Sequence, residues 1–208
     1  MSTRGHNRRH PDSRAGKSTG LRSRLCRLTS ALAALMIGLL LLRCNAIAQS
    51  APPLEFQVKA AFLLNFTKFA DWPADAFAGE RAPLTICILG EDPFGPTLDQ
   101  MVQGEEVSGR HVTVQRIRGV AAPKTCQVLY LRSSERELRQ ILASMPPGTL
   151  TVGEGDGFLS QGGMIAFVIE NRRVRFDVNQ GAASEAGLTL SSRLLSVARS
   201  VTNRSPRP

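Results

Sequence analysis

The side chains best suited to catalysis are scarce in the part of the chain that follows residue 48. The sequence has three histidines, and only His111 lies in that part, so a Ser-His-Asp or Cys-His arrangement would have to use it. No His-Glu-x-x-His or Cys-x-x-Cys spacing occurs there, which leaves a zinc site short of ligands. We therefore expect no enzyme, no metal site and no cofactor, and we interpret His111 as a solvated residue at a strand end.

Two turns carry glycines at spacings close to those of phosphate-binding loops. Gly90 to Gly95 has the glycine spacing of a P-loop, but Pro96-Thr97 replaces the Lys-Ser/Thr pair that would hold the phosphates. Gly153 to Gly157 lacks the glycine spacing of a dinucleotide fingerprint, and both turns are acidic. Tight turns are the simpler interpretation. The first turn nevertheless follows a strand, where α/β sheets bind ligands, and its candidate ligand residues are Glu91, Asp92, Phe94 and Gly95.

Three arginines, Arg172, Arg173 and Arg175, form a small basic cluster. A solvated hairpin is the ordinary interpretation of such a cluster, because exposed charges contribute little to stability. The alternative is a patch that contacts carboxylates or phosphates, or that forms part of a surface for a protein partner.

Residues 1–48 have the composition of a secretory signal peptide. They hold nine Lys and Arg against one Asp, and the basic stretch precedes an apolar run from Leu28 to Leu42. Ala46-Ile47-Ala48 then supplies the small residues that a signal peptidase reads. We expect export to the periplasm with cleavage near Ala48. An uncleaved anchor is the alternative, although the apolar run is short for a membrane span.

The charge that remains after the leader is nearly balanced. Residues 49–208 hold 17 Lys and Arg against 16 acidic residues, so the formal charge of +9 belongs almost entirely to the leader. A nearly neutral domain offers no electrostatic case for binding nucleic acid. We therefore expect no nucleic-acid partner.

Cleavage would remove Cys26 and Cys44 and leave Cys87 and Cys126. An even pair of cysteines in an oxidising compartment is expected to form a disulfide bond. Closing a loop of about 39 residues stabilises a fold by about 4 kcal/mol in the chain-entropy model. Two buried free thiols are the alternative, and a redox-sensing role would need an exposed or strained bond.

The element that carries Cys87 is central to the predicted fold. Leu84 to Leu89 is an unbroken apolar run, which predicts a strand covered on both faces. Strands and helices alternate after it, and a hairpin formed by Met164–Glu170 and Arg173–Val178 follows. A last helix is predicted from about Ser192 to Val201. We predict an α/β fold, a three-layer sandwich with a mixed, mostly parallel sheet and a C-terminal antiparallel hairpin. It forms one domain over residues 49–200, with a flexible tail at 201–208.

An amphipathic helix is predicted from Gln57 to Ala70, before Trp72-Pro73. Its apolar face carries three phenylalanines in a chain with few aromatic residues. Core packing is one interpretation of this cluster, and a recognition groove is the other. Asn65 lies on the same face. A buried asparagine needs a hydrogen-bond partner, so we expect Asn65 to tie the helix to a loop. The residues of the predicted face are Val58, Ala61, Phe62, Asn65, Phe66 and Phe69.

Five motifs follow one another between about Leu54 and Ala198. They are Val58–Phe69 with Trp72-Pro73, Leu84–Gly90 with Asp92–Gly95, Gly157-Phe158 with Gly162–Ile165, Val174–Phe176 with Asn179, and Ala186–Leu188 with Ser191-Ser192 and Leu194-Leu195. In this order they resemble the YfiR family of periplasmic regulators, and five ordered motifs are far more specific than one.

The resemblance implies a mixed α/β fold, a homodimer and no catalysis. The best-known member binds the periplasmic sensor domain of a membrane-anchored diguanylate cyclase and represses it, which lowers cyclic di-GMP, exopolysaccharide and biofilm. An OmpA/Pal-like outer-membrane lipoprotein relieves that repression. The resemblance also places the core disulfide at Cys87 and Cys126 and a partner surface at Phe167, to which we add Arg173 and Arg175.

We therefore predict an exported, non-enzymatic regulator that acts on a membrane diguanylate cyclase. The alternative is a periplasmic small-molecule-binding module that uses the turn from Glu91 to Gly95 as its mouth. A hydrolase that depends on His111 is the third hypothesis.

Overall fold

The computed structural model describes residues 53–118, 125–132, 135–155 and 157–203. The predicted signal peptide, its cleavage position near Ala48 and residues 204–208 of the predicted tail lie outside the described residues. The helices are α1 (Leu54–Lys68), α2 (Pro96–Val102), α3 (Glu135–Ala143), α4 (Gly157–Ser160), α5 (Gln180–Glu185) and α6 (Ser192–Val197). The strands are β1 (Ala70–Asp71), β2 (Leu84–Leu89), β3 (Glu106–Val107), β4 (Arg110–Ile117), β5 (Val128–Leu131), β6 (Leu150–Glu154), β7 (Ile165–Glu170), β8 (Arg173–Asn179), β9 (Thr189–Leu190) and β10 (Ser200–Thr202).

Eight of these strands form one sheet in the order β10-β8-β7-β6-β5-β2-β4-β3. Strands β4, β2, β5, β6 and β7 run parallel to one another, whereas β3 pairs antiparallel with β4, and β7 and β8 form an antiparallel hairpin. Strand β10 joins β8 in parallel, and β1 pairs with β9 apart from the main sheet. Helices lie on both faces. The predicted three-layer sandwich with a mixed, mostly parallel sheet is confirmed.

Strand β2 lies inside the sheet, between β5 and β4, and is buried along its whole length. Because alternate residues of a strand point to opposite faces, Ile86 and Ile88 pack into the core under α1, α2, α5 and α6. Cys87 and Leu89 pack into a smaller core under α3 and α4. Each fully buried aliphatic side chain contributes about 1.5–3 kcal/mol. Because both faces of β2 are covered, its sequence is an unbroken apolar run and does not alternate between apolar and polar residues.

Helix α1 buries a different stripe from the one predicted. Ala60, Leu63, Leu64 and Thr67 are buried at helical spacing together with Phe66. The reason is that α1 is apolar on more than one side, so that the sequence offers two competing stripes. The expectations for Val58 and Asn65 were wrong, since both side chains are exposed.

The segment that follows α1 is held by hydrogen bonds to residues near the start of strands β2 and β5. The Trp72 indole Nε1 donates to the Gln127 carbonyl oxygen at 3.1 Å. The buried Gln127 amide in turn donates to the Ala76 carbonyl at 2.6 Å and accepts from the Thr85 backbone N–H at 2.8 Å. One amide side chain thus joins three segments of the chain.

The hairpin and the C-terminus differ in how well the sequence predicted them. Asn171 and Arg172 connect β7 to β8 with φ of 50° and 62°, as a two-residue hairpin turn requires. The last helix was predicted too long, because α6 ends at Val197 and the chain then forms β10. Pairing of β10 with β8 stabilises an extended conformation that local sequence does not specify.

Two glycines make room for one aromatic ring. A Cβ atom added to Gly153 or to Gly163 would lie 2.2 Å from the ring of Phe158, which is closer than any side chain tolerates. Phe158 is buried, and α4 holds it against the backbone of the sheet. We call this arrangement of Gly153, Gly163 and Phe158 the ring slot.

Candidate functional site

The predicted ligand turn after β2 is occupied by its own side chains. The Asp92 carboxylate accepts hydrogen bonds from the backbone N–H groups of Phe94 and Gly95 at 2.8 and 3.2 Å. Its other oxygen accepts from Arg116 of β4 at 2.6 Å. Phe94 is buried, and its ring centroid lies 4.7 Å from that of Tyr130. The hydrogen bonds of the Asp92 carboxylate are therefore made within the turn and to Arg116 of β4. Ligand binding by this turn stays a prediction.

Arg116 also connects this turn to helix α2. Its guanidinium donates to both carboxylate oxygens of Asp99, at 2.9 and 2.6 Å, and to the Gly95 carbonyl at 2.9 Å. The hydrogen bond from Arg116 lowers the pKa of Asp99 below its ordinary value. Two parallel N–H groups of Arg116 thus bind one carboxylate, which is the usual geometry of a strong arginine–carboxylate pair. The turn is consequently held in place from β4.

A second group of charged side chains lies near the carboxyl end of the parallel strands, and sequence analysis missed it. Lys59 of α1 is almost completely buried, and its Nζ lies 2.5 Å from Glu55 Oε1 and 3.0 Å from Glu154 Oε1. Tyr130 donates a hydrogen bond to the same Glu154 oxygen. Burial first, and then Glu154, raise the pKa of the Tyr130 phenol well above its ordinary value. We call Lys59, Glu55, Glu154 and Tyr130 the ionic cluster.

The ionic cluster fixes α1 onto the sheet. Glu154 ends β6 and Tyr130 lies in β5, so that one helical lysine contacts the strand ends where open α/β sheets bind ligands. The Lys59 ammonium also lies 4.9 Å from the ring centroid of Phe56. Only the i,i+4 spacing of Glu55 and Lys59 was visible in the sequence, because Glu154 lies 95 residues further along the chain.

The two cysteines predicted to pair form a disulfide in the structure. Cys87 of β2 and Cys126, just before β5, are bonded, with Cα atoms 5.8 Å apart. Both side chains are buried in the smaller core. The bond joins the two neighbouring central strands directly, and its burial favours a structural role over the redox-sensing alternative.

The predicted partner residues lie in different environments. Phe167 is buried in the main core, where its ring centroid lies 5.8 Å from that of Phe66 and 6.1 Å from that of Phe62. Arg173 and Arg175 are exposed on β8, on the opposite face of the sheet from Phe176. The structure thus does not bring the three together, and their part in partner binding stays a prediction.

An apolar groove opens between α1, α6 and strand β8. Its volume is about 190 Å³. Phe62 and Phe176 form part of its floor, with ring centroids 5.4 Å apart. Most of its aromatic residues belong to the predicted face of α1, so this face both packs into the core and lines a groove. The lining residues are Phe62, Asn65, Phe66, Phe69, Phe176, Arg193, Leu194 and Val197.

The described residues show neither of two other kinds of site. His111 is exposed at the start of β4, and its Nδ1 lies 3.1 Å from Glu106, as the solvated interpretation predicted. No group of three or more His, Cys, Asp or Glu side chains that could hold a metal ion occurs in the described part of the chain. None of the helices described is both long and apolar enough to cross a bilayer.

Comparison with known proteins gives one extensive match. The family model described as YfiR/HmsC-like (DUF4154) matches residues 56–199, which is more than half of the chain. No curated protein matches the sequence. Among solved structures, the chain is similar to the crystal structure of the ABC domain in complex with L-Trp from Streptococcus pneumonia, with 12% identity and a TM-score of 0.39. That similarity covers 57% of this chain and 55% of the other, and it is too low to support any comparison of folds or functions.

Proposed function

Because this chain belongs to the YfiR/HmsC-like family, we propose that it is a periplasmic, non-catalytic regulator of a membrane-anchored diguanylate cyclase. It binds the periplasmic sensor domain of the cyclase and represses the enzyme, which lowers cyclic di-GMP and with it exopolysaccharide and biofilm. The observation that carries this proposal is the family match over residues 56–199, which extends across nearly all of the described domain.

Repression of this kind needs only a preference for one state of the partner. A regulator that binds the inactive state of the sensor domain more tightly shifts the equilibrium of the cyclase away from its active form. Moving that equilibrium from 99% active to 99% inactive requires about a 10⁴-fold preference for the inactive state. No reacting group on the regulator is involved.

Two features of the structure support a protein-binding role. The carboxyl edge of the sheet, where α/β domains bind small ligands, is occupied by the Asp92 turn and by Lys59 and its partners. An apolar groove is instead open to solvent between α1 and α6. Proteins that expose such surfaces use them for association.

Two further partners belong to the same proposal. An OmpA/Pal-like outer-membrane lipoprotein relieves the repression by sequestering the regulator, and the regulator itself forms a homodimer. Both are carried over from the family resemblance, and both are tested by measuring the molar mass of the purified protein in solution with and without the lipoprotein.

The test of the proposed function combines a genetic and a binding measurement. Deletion of the gene is expected to raise cyclic di-GMP, and complementation with the exported form is expected to restore the lower level. The purified protein is expected to bind the isolated periplasmic domain of the cyclase in calorimetry. Unchanged cyclic di-GMP in the deletion strain, together with no binding, would show the proposal to be wrong.

A further inference from the structure

We infer that the groove between α1 and α6 receives an apolar side chain from an acidic segment of the protein partner. This inference rests on the proposed function and names the surface and the chemistry of the partner. Four properties of the groove carry it: its apolar lining, the exposure of its wall, its size and the charge at its rim.

The wall of the groove is unusually exposed for apolar side chains. Val197 of α6 lines the groove and is 56% exposed. Val58 of α1, which lies one helical turn before Phe62 and outside the lining, is 37% exposed. Phe62 and Phe69 are only partly buried against the core. An apolar surface of this kind on a folded domain marks an interaction site, because it would be removed from water by a partner.

The size of the groove selects a side chain over a small molecule. Pockets that bind metabolites and drugs usually measure about 300–1,000 Å³, whereas this groove measures about 190 Å³. A concave site of this size takes one large apolar side chain. An anchor residue inserted into such a pocket is the usual centre of a protein interface.

The positive charge at the rim of the groove favours an acidic segment of the partner. Arg193 lines the groove and is exposed, and none of the described residues that line it is acidic. A partner with carboxylates beside its apolar anchor would therefore meet opposite charge at the edge. A second copy of this chain, bound by the same groove about a two-fold axis, would present the same lining, which holds an arginine and no acidic residue, and so would not supply the opposite charge.

The test measures binding of the purified full-length mature protein to the periplasmic domain of the cyclase. We expect Val197→Asp to weaken binding at least about tenfold, because a charge would enter the apolar centre of the interface. Arg193→Glu is expected to slow association about tenfold at low salt, and Arg193→Lys is expected to restore most of the rate. Thermal unfolding of each variant checks that it is folded.

Two matched variants serve as controls. Leu54→Asp introduces the same charge at an apolar residue that begins α1, is 73% exposed and does not line the groove. Arg139→Glu reverses an exposed charge on α3, which packs on the other face of the sheet. Both are expected to bind within about twofold of the wild-type protein, since neither charge lies at the proposed contact.

The outcomes separate this inference from the proposed function. If the wild-type protein binds the cyclase domain and the groove variants bind equally well, the inference is wrong and the proposed function stands. If the wild-type protein does not bind that domain, the inference is wrong, and unchanged cyclic di-GMP in the deletion strain would then show the proposed function to be wrong as well. If Val197→Asp converts a wild-type dimer into a monomer, the groove binds a second copy of the chain and the inference is wrong. If the wild-type protein binds phosphatidylglycerol vesicles and Val197→Asp does not, the groove binds a membrane and the inference is also wrong.

Discussion

Replacement of Lys59 by methionine is expected to lower the free energy of unfolding by about 2–3 kcal/mol. Removing one partner of a buried ion pair costs about 3–5 kcal/mol when the other charge is left without compensation. The Glu154 side chain here remains 26% exposed and still accepts from Tyr130, so that water and the phenol replace part of the lost interaction. Methionine keeps the apolar stem in place beside Phe56, which limits the effect to the charge.

A double-mutant cycle isolates the interaction between Lys59 and Glu154. Glu154→Gln removes the charge and keeps an oxygen that accepts from Tyr130. The double variant leaves neither charge of this pair buried alone, so it is expected to be more stable than the sum of the single effects predicts. A coupling free energy of about 1–2 kcal/mol is typical of two residues in direct contact.

The measurement is urea unfolding at pH 7 with the disulfide intact, analysed by linear extrapolation. Lys68→Met is the control, because Lys68 lies 2.6 Å from Glu105 but both side chains are more than one-third exposed. Such a surface pair contributes about 0–1 kcal/mol. If Lys59→Met were as mild as Lys68→Met, or if the cycle were additive, the ionic cluster would not hold α1 on the sheet.

The remaining predictions concern the disulfide, one carboxylate and the ring slot. Joint replacement of Cys87 and Cys126 by alanine is expected to lower the unfolding free energy by about 4 kcal/mol, and an unchanged urea midpoint would contradict this. Burial tends to raise the pKa of Asp177, but hydrogen bonds, chiefly from Arg199, outweigh it and lower the pKa below 3.8. Its stabilising effect is therefore present above that pH and is lost as the pH falls through the lower folded value. The difference in urea midpoint between wild type and Asp177→Asn should shrink between pH 5 and pH 2, whereas a constant difference would exclude this linkage. Gly153→Ala is expected to cost about 1–3 kcal/mol through overpacking, and a thermal midpoint equal to that of wild type would show that the ring slot can relax.

The parts of the fold that the sequence predicted well are those that local chemistry specifies. The unbroken apolar run from Leu84 to Leu89 identified a strand covered on both faces, and Asn171-Arg172 identified the hairpin turn. Asp92-Pro93 likewise marked a turn whose carboxylate caps its own backbone, although its contact with Arg116 was not visible. In these places a few adjacent residues determine the conformation.

The parts that sequence analysis missed depend on residues distant in the chain. The buried charge of Lys59 is compensated by Glu55 and by Glu154, and Glu154 lies 95 residues further along the chain. Strand β10 forms because it pairs with the edge of β8. The hydrophobic pattern of Ser200–Thr202 alone does not predict this pairing. The buried stripe of α1 was ambiguous for the same reason, since only the sheet decides which apolar side of the helix faces inward.

The ring slot has a consequence for how this region can vary. The space for Phe158 comes from missing side chains on two backbone segments, so the sizes of all three residues are coupled. An alanine that is harmful at position 153 in the present chain would become tolerable if a smaller side chain replaced the phenyl ring. We therefore expect Phe158→Leu to rescue Gly153→Ala in part, so that the two substitutions together cost less than the sum of their separate effects.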